Sequence, residues 1–228
     1  MKEMIVHNNP KSPISEAYRG IRTNLQFANV DHNVKTIIVS SATSGEGKTT
    51  TLCNLAMTLA DSDKKVMIVD CDLRKPRVHK FLEITNAQGV TDVLLRGEHY
   101  SNYLHKGIHP QLDVLTSGRI PTNPSELLNS DAMKAFMKQL SEDYDYVLID
   151  TPPIIPVTDT VIMSTYIDRV ILVCASGQIE VEMAKKATEK LQHVGAKILG
   201  IVLNKVKMNS KKYHYYYYYM NDSDAKKK

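Results

Sequence analysis

The chain has 228 residues, 43% hydrophobic and 24% charged, which suits the core of one α/β domain with short extensions and argues against disorder. A formal charge of +4 is too small to argue for direct nucleic-acid binding, but it suits an anionic surface or an acidic partner. Cys53, Cys71 and Cys174 form neither a CxxC pair nor a zinc-ligand spacing, so they read as buried, reduced thiols of a cytoplasmic protein.

In chain order, MKEMIVHNNPKSP lacks the apolar centre of a signal peptide. The segment SPISEAYRGIRTNLQFAN predicts an amphipathic helix. Tyr18, Ile21, Leu25 and Ala28 form its apolar stripe, with Glu16, Arg19 and Arg22 expected on the other side. TIIVSS at 36–41 predicts a buried strand, and a helix follows to about Ala60. Between them lies Ser40-Ser41-Ala42-Thr43-Ser44-Gly45-Glu46-Gly47-Lys48-Thr49-Thr50, a phosphate-binding P-loop in its strand–loop–helix context. Its backbone N–H groups from Thr43 to Thr50 are expected to wrap phosphates, and the following helix adds favourable partial charge. Lys48 is expected to reach the β and γ phosphates, and the Thr49 hydroxyl to hold magnesium. Ala42 replaces the first glycine of the strict pattern.

KVMIVD at 65–70 predicts a second strand that delivers Asp70 and, two residues on, Asp72. An extended chain would turn both to one side, although a strand-end aspartate also serves as a helix cap. LDVLTS at 112–117 is a weaker strand, and SDAMKAFMKQLSED predicts a helix capped by Ser130. YVLID at 146–150 ends in Asp150, placed to orient magnesium in the manner of a Walker B carboxylate. RVILVCA at 169–175 and KILGIVLN at 197–204 predict two more strands, joined by a helix with Val181, Ala184, Leu191 and Val194 on one face and Gly195 at its end. Asn204 and Lys205 follow the last strand, where an asparagine can meet a purine edge or simply make a turn. Strands alternating with helices imply an α/β, doubly wound, mostly parallel sheet. No apolar run approaches the ~20 residues of a membrane span, so membrane association is expected only through a partner.

The chain holds 12 tyrosines, and six of them, Tyr213, Tyr215, Tyr216, Tyr217, Tyr218 and Tyr219, crowd into seven positions of the C-terminal segment. Consecutive side chains cannot share one packed face, so the run reads as a bank of phosphoryl acceptors or as a low-complexity adhesive. Three regions are expected: 1–33, an N-terminal helical extension; 34–207, the P-loop domain; and 208–228, a flexible tyrosine-rich tail.

Together SATSGEGKT, VDCDLRKP, VLIDTPP and the tyrosine tail resemble the bacterial tyrosine kinases of capsule and exopolysaccharide synthesis. These are P-loop NTPases related to the partition ATPases. The partition ATPases carry a second lysine early in the loop, where this chain has Thr43. The resemblance implies an ATP- and Mg2+-dependent autokinase with Lys48, Asp70, Asp72 and Asp150 as catalytic residues and Thr49, Asp72 and Asp150 at the metal. Which of Asp70 and Asp72 lies nearer the metal stays open. It also implies ring-like self-association through Glu16, Arg19 and Arg22, and activation by the cytoplasmic end of a membrane polysaccharide-copolymerase protein. A phosphotyrosine phosphatase would oppose the reaction, and the kinase would be cytoplasmic but recruited to the membrane. The competing readings are a switch ATPase of the partition type and a nucleotide-stabilised scaffold ring.

Overall fold

The computed structural model describes residues 4–29 and 34–207. The tyrosine cluster at 213–219 lies outside the described residues. Two N-terminal helices, α1 (Ile5–Asn8) and α2 (Pro13–Ala28), precede β1 (Thr36–Ser41), α3 (Lys48–Ala60) and β2 (Val66–Asp70). Next come α4 (Val78–Leu82), α5 (Val90–Arg96), β3 (His105–His109), β4 (Leu112–Leu115), α6 (Pro124–Asn129) and α7 (Asp131–Asp143). The chain continues through β5 (Tyr146–Asp150), α8 (Asp159–Met163), β6 (Arg169–Ala175), α9 (Val181–His193) and β7 (Ile198–Asn204).

The seven strands form one sheet in the order β3-β4-β2-β5-β1-β6-β7. All neighbours are parallel except β3 and β4. β1, β2 and β5 are buried along their whole length, which is why their sequences are continuous Val/Ile runs and not alternating ones. One core lies between the sheet and α1 to α4, containing Leu25, Leu52, Leu55 and Val78. A second lies on the opposite face under α5 to α9, containing Phe136, Leu140, Met163 and Leu191. The sheet is therefore doubly wound, as the sequence predicts.

The expected Ser130 cap forms, its Oγ accepting the Met133 amide at 3.1 Å; Ser12, not anticipated as a cap, likewise accepts the Ser15 amide at 3.1 Å. The antiparallel edge strand β3 was not expected, because HKGIH lacks both an apolar run and alternation. The stripe of α9 is also narrower than its sequence suggests. Ala187 and Leu191 are buried, whereas Val181, at the first turn, is exposed.

Within α2, Tyr18 and Leu25 are buried against α3, but Ala28 is exposed. Arg22 departs from the expected solvated side. It follows Tyr18 by four positions, so it shares the inward face, and its guanidinium donates to the Thr58 carbonyl of α3 at 3.0 Å. Glu16 and Arg19 stay at the surface, paired with each other, and Arg19 also donates to the Pro10 carbonyl at 2.7 Å. Among the described residues no helix is long and apolar enough to cross a membrane.

Candidate functional site

The carboxyl ends of β1, β2 and β5 meet at one place. Register pairs Val39 with Asp150 and Asp70 with Asp150, so two strand-end aspartates stand side by side next to the loop that leaves β1. This is where open α/β sheets bind ligands. The loop turns through Gly45 and Gly47, whose φ angles are 84° and 92°. Gly47 starts α3 and has a second reason to be glycine: a Cβ there would lie 2.1 Å from Asn204 Nδ2.

Lys48 is the centre of the charge arrangement. Its ammonium lies 3.2 Å from Asp72 Oδ2 and 3.2 Å from Asp150 Oδ1. Thr49 Oγ1 donates to Asp150 Oδ2 at 2.7 Å. Burial pulls the Lys48 pKa down, but the charges of Asp150 and Asp72 and their hydrogen bonds outweigh it, and the ammonium is held above its usual value. Burial raises the Asp150 carboxyl, against the opposing pull of Lys48 and the Thr49 hydroxyl. One hydroxyl and two carboxylates converging on a single cation make a hard-oxygen donor set that suits magnesium.

The expectation that Asp70 and Asp72 act on one side is not met. β2 ends at Asp70, and the chain turns at once, with the Asp72 amide donating back to Asp70 Oδ1 at 3.1 Å. Asp70 Oδ2 accepts the amides of Arg77 and Val78 at 3.2 and 3.1 Å, so it tethers the start of α4. Asp70 is fully buried, and burial followed by the Asp150 charge pushes its carboxyl well above the usual range. Asp72 instead lines the cavity and accepts the Lys75 amide at 3.0 Å through its other oxygen.

The remaining loop residues brace the P-loop from within. Glu46 is buried; one carboxylate oxygen accepts the Thr43 amide at 2.6 Å and the Thr43 hydroxyl at 3.0 Å. The other accepts the Ala175 amide at the end of β6 at 3.2 Å. Asn204 Nδ2 donates to the Glu46 carbonyl at 2.9 Å, and Lys205 Nζ donates to the Gly45 carbonyl at 2.7 Å and to Gln178 Oε1 at 2.8 Å. Asn204 and Lys205, expected beside a purine, thus hold loop backbone in this structure. Ser44 and Thr50 line the cavity.

That cavity has a volume of about 690 Å³. It runs from the P-loop to α4 and is bordered there by Lys75, Arg77, Lys80 and Phe81. None of these four was an expected site residue; Lys75 and Arg77 were signalled only by the basic run Arg74-Lys75-Pro76-Arg77, which follows Asp72-Leu73, and Lys80 and Phe81 carried no signal. Arg74 turns away. It grips the buried Asp159 of α8 through Nε and Nη2 at 2.7 and 3.0 Å, with Ser125 Oγ completing the cluster.

The AAA domain family matches residues 34–205. "Tyrosine-protein kinase YwqD" of Bacillus subtilis (strain 168) is 44% identical over 208 residues, covering 91% of this chain and 88% of its own. The chain belongs to the bacterial tyrosine-protein kinases. "Putative tyrosine-protein kinase CapB" of Staphylococcus aureus is 36% identical, with 92% of this chain and 93% of that protein covered. The crystal structure of the chimerical protein CapA2B2 superposes with a TM-score of 0.87 at 41% identity, over 91% of this chain and 92% of that one. In this kinase the charged centre around Lys48 lies within the residues that the AAA domain family matches.

Proposed function

We propose that this kinase transfers the γ-phosphoryl group of ATP, with magnesium, to the tyrosines at 213 and 215–219 of a neighbouring copy. The observation that carries the proposal is the convergence of Lys48, Thr49, Asp72 and Asp150 at the mouth of a phosphate-binding loop, in a chain whose tail holds six clustered tyrosines. Thr49, Asp72 and Asp150 would hold magnesium, which supplies charge neutralisation at the β and γ phosphates when bound.

Each side chain then has a task. The amides of residues 43–50 cradle the phosphates, and Lys48 offsets the negative charge that develops as the terminal group departs. The phenol oxygen of tyrosine attacks the γ-phosphorus as the bond from that phosphorus to the β–γ bridging oxygen breaks, and ADP leaves. Asp72 orients the phenol and takes its proton. Asp70, the other carboxylate of the pair, is less suited to that task, since its oxygens already accept three backbone amides. Because phosphoryl transfer has a loose transition state, positioning does much of the work and a strong base is not required.

Each phosphate adds about −1.5 to −2 charge, so six would add roughly −9 to −12. That outweighs the formal +4 of the chain. Repulsion of this size would drive apart a ring held by Glu16, Arg19 and Arg22, and a phosphatase would restore it. In this reading the ring works at the cytoplasmic face of the membrane, with a polysaccharide-copolymerase partner, and sets capsular or exopolysaccharide synthesis and export. Incubation with γ-labelled ATP and magnesium, with the partner's cytoplasmic segment fused to the chain, tests the catalytic part. Labelled phosphotyrosine is the expected product, and release of free phosphate alone would overturn it.

A further inference from the structure

We infer that Lys75, Arg77, Lys80 and Phe81 form an acceptor subsite that binds a phosphotyrosine already made on the tail while a nearby tyrosine is phosphorylated. The inference rests on the proposed tail phosphorylation. All four residues line the cavity that holds Lys48 and Thr49. The three cations are exposed, and none makes an ion pair among the described residues. Lys48, by contrast, is already matched by two carboxylates. Beyond the P-loop the cavity wall carries these three cations against one carboxylate, Glu83, so it is net basic and suits an anion other than the one Lys48 serves. Its field reaches His79, whose pKa is lowered by burial and then by Lys80 and Arg77.

Topology separates this wall from the other flank of the loop. β2, which leads into Lys75 to Phe81, lies two places from β1 on one side, and β7, which leads into Asn204 and Lys205, lies two places away on the other. A nucleotide seated on the P-loop has the β7 flank available for its base. The α4 flank is left for the group that receives the phosphate. There Phe81, half-buried, offers a ring against which a tyrosine ring can stack.

The tail sequence supplies a matching ligand. With five tyrosines in unbroken succession, Tyr215 to Tyr219, every acceptor after the first has a phosphotyrosine close by. In an extended segment, alternate side chains share a side and sit about 7 Å apart. A phosphate at Tyr217 would then reach the basic wall while Tyr215 or Tyr219 meets the γ-phosphate. Arginine and lysine form charge-assisted hydrogen bonds to phosphate oxygens. The subsite would make later phosphorylations easier than the first.

The test uses the full-length dephosphorylated chain with ADP and magnesium, and two fluorescent peptides of residues 210–221, one plain and one phosphorylated at Tyr217. Fluorescence anisotropy should show the phosphopeptide bound on the order of tenfold more tightly. Lys75→Ala/Lys80→Ala should erase that difference without changing ADP affinity. Equal affinity for the two peptides would overturn the subsite, as would a loss of ADP binding in step with the loss of phosphopeptide binding. Because binding is read without catalysis, a chain that never labels the plain peptide refutes the tail-kinase reading separately and leaves the anisotropy result to decide the subsite.

Discussion

Asp70 and Glu46 are carboxylates with different work from that of Asp150. Asp70 is fully buried with a raised pKa, so the folded chain retains a proton that the unfolded chain releases near the ordinary carboxylate value. Over that window the native state binds more protons, and stability falls as pH rises. Asp70→Asn cannot titrate. In metal-free denaturant unfolding, the stability of wild type relative to Asp70→Asn should decline as pH rises above about 4, the ordinary carboxylate value; a flat difference would show that Asp70 ionises normally. Glu46 makes a separate prediction. Glu46→Ala leaves the buried amide of Ala175 without its acceptor, at a cost of about 1–3 kcal/mol, and the half-buried amide of Thr43 as well. Thermal unfolding should move down and nucleotide affinity should weaken with it, because the loop is no longer braced. The loop glycines, Lys48, Thr49 and Asp150 were legible in the sequence because their spacing follows from the geometry of a phosphate. The role of Glu46 was not, and that of Asp70 was left open between a helix cap and a metal site, because a buried carboxylate that accepts amides has the same letter as one that meets a metal.

The strands and long helices were legible for a related reason. β1, β2 and β5 are covered on both faces, and continuous burial writes continuous Val and Ile. β3 was missed because an edge strand of five residues, HKGIH, has intermediate and exposed positions and little apolar content to betray it. α4 was missed because five residues are too few for a period, and it owes its start to Asp70. In α2 the stripe was readable at Tyr18 and Leu25, yet the inward turn of Arg22 was not, since an arginine can bury its stem while its head finds a carbonyl. Leu25→Ala should cost about 2–4 kcal/mol if α2 is an integral part of the core on that face. Chemical denaturation measures this directly, and a cost under about 1 kcal/mol would mean the helix is only loosely applied to the domain.

In the proposed function, the phosphate donor and the tyrosines are joined by one chain but would serve each other between copies. Glu16 lies exposed and Arg19 half-buried on α2, and the cavity with its basic wall opens on the side of β1, β2 and β5. A ring would bring one copy's tail to the next copy's Lys48. The deciding experiment mixes a Lys48→Met chain that keeps its tail with an active chain whose Tyr213 and Tyr215 to Tyr219 are phenylalanine, in γ-labelled ATP, magnesium and the fused activator segment. Label should appear as phosphotyrosine on the Lys48→Met chain, at a rate at least 10²-fold above that of the Lys48→Met chain alone, a roughly estimated margin for losing one transition-state donor. Lys48→Met tails that stay unlabelled while the wild-type chain labels itself would contradict transfer between copies.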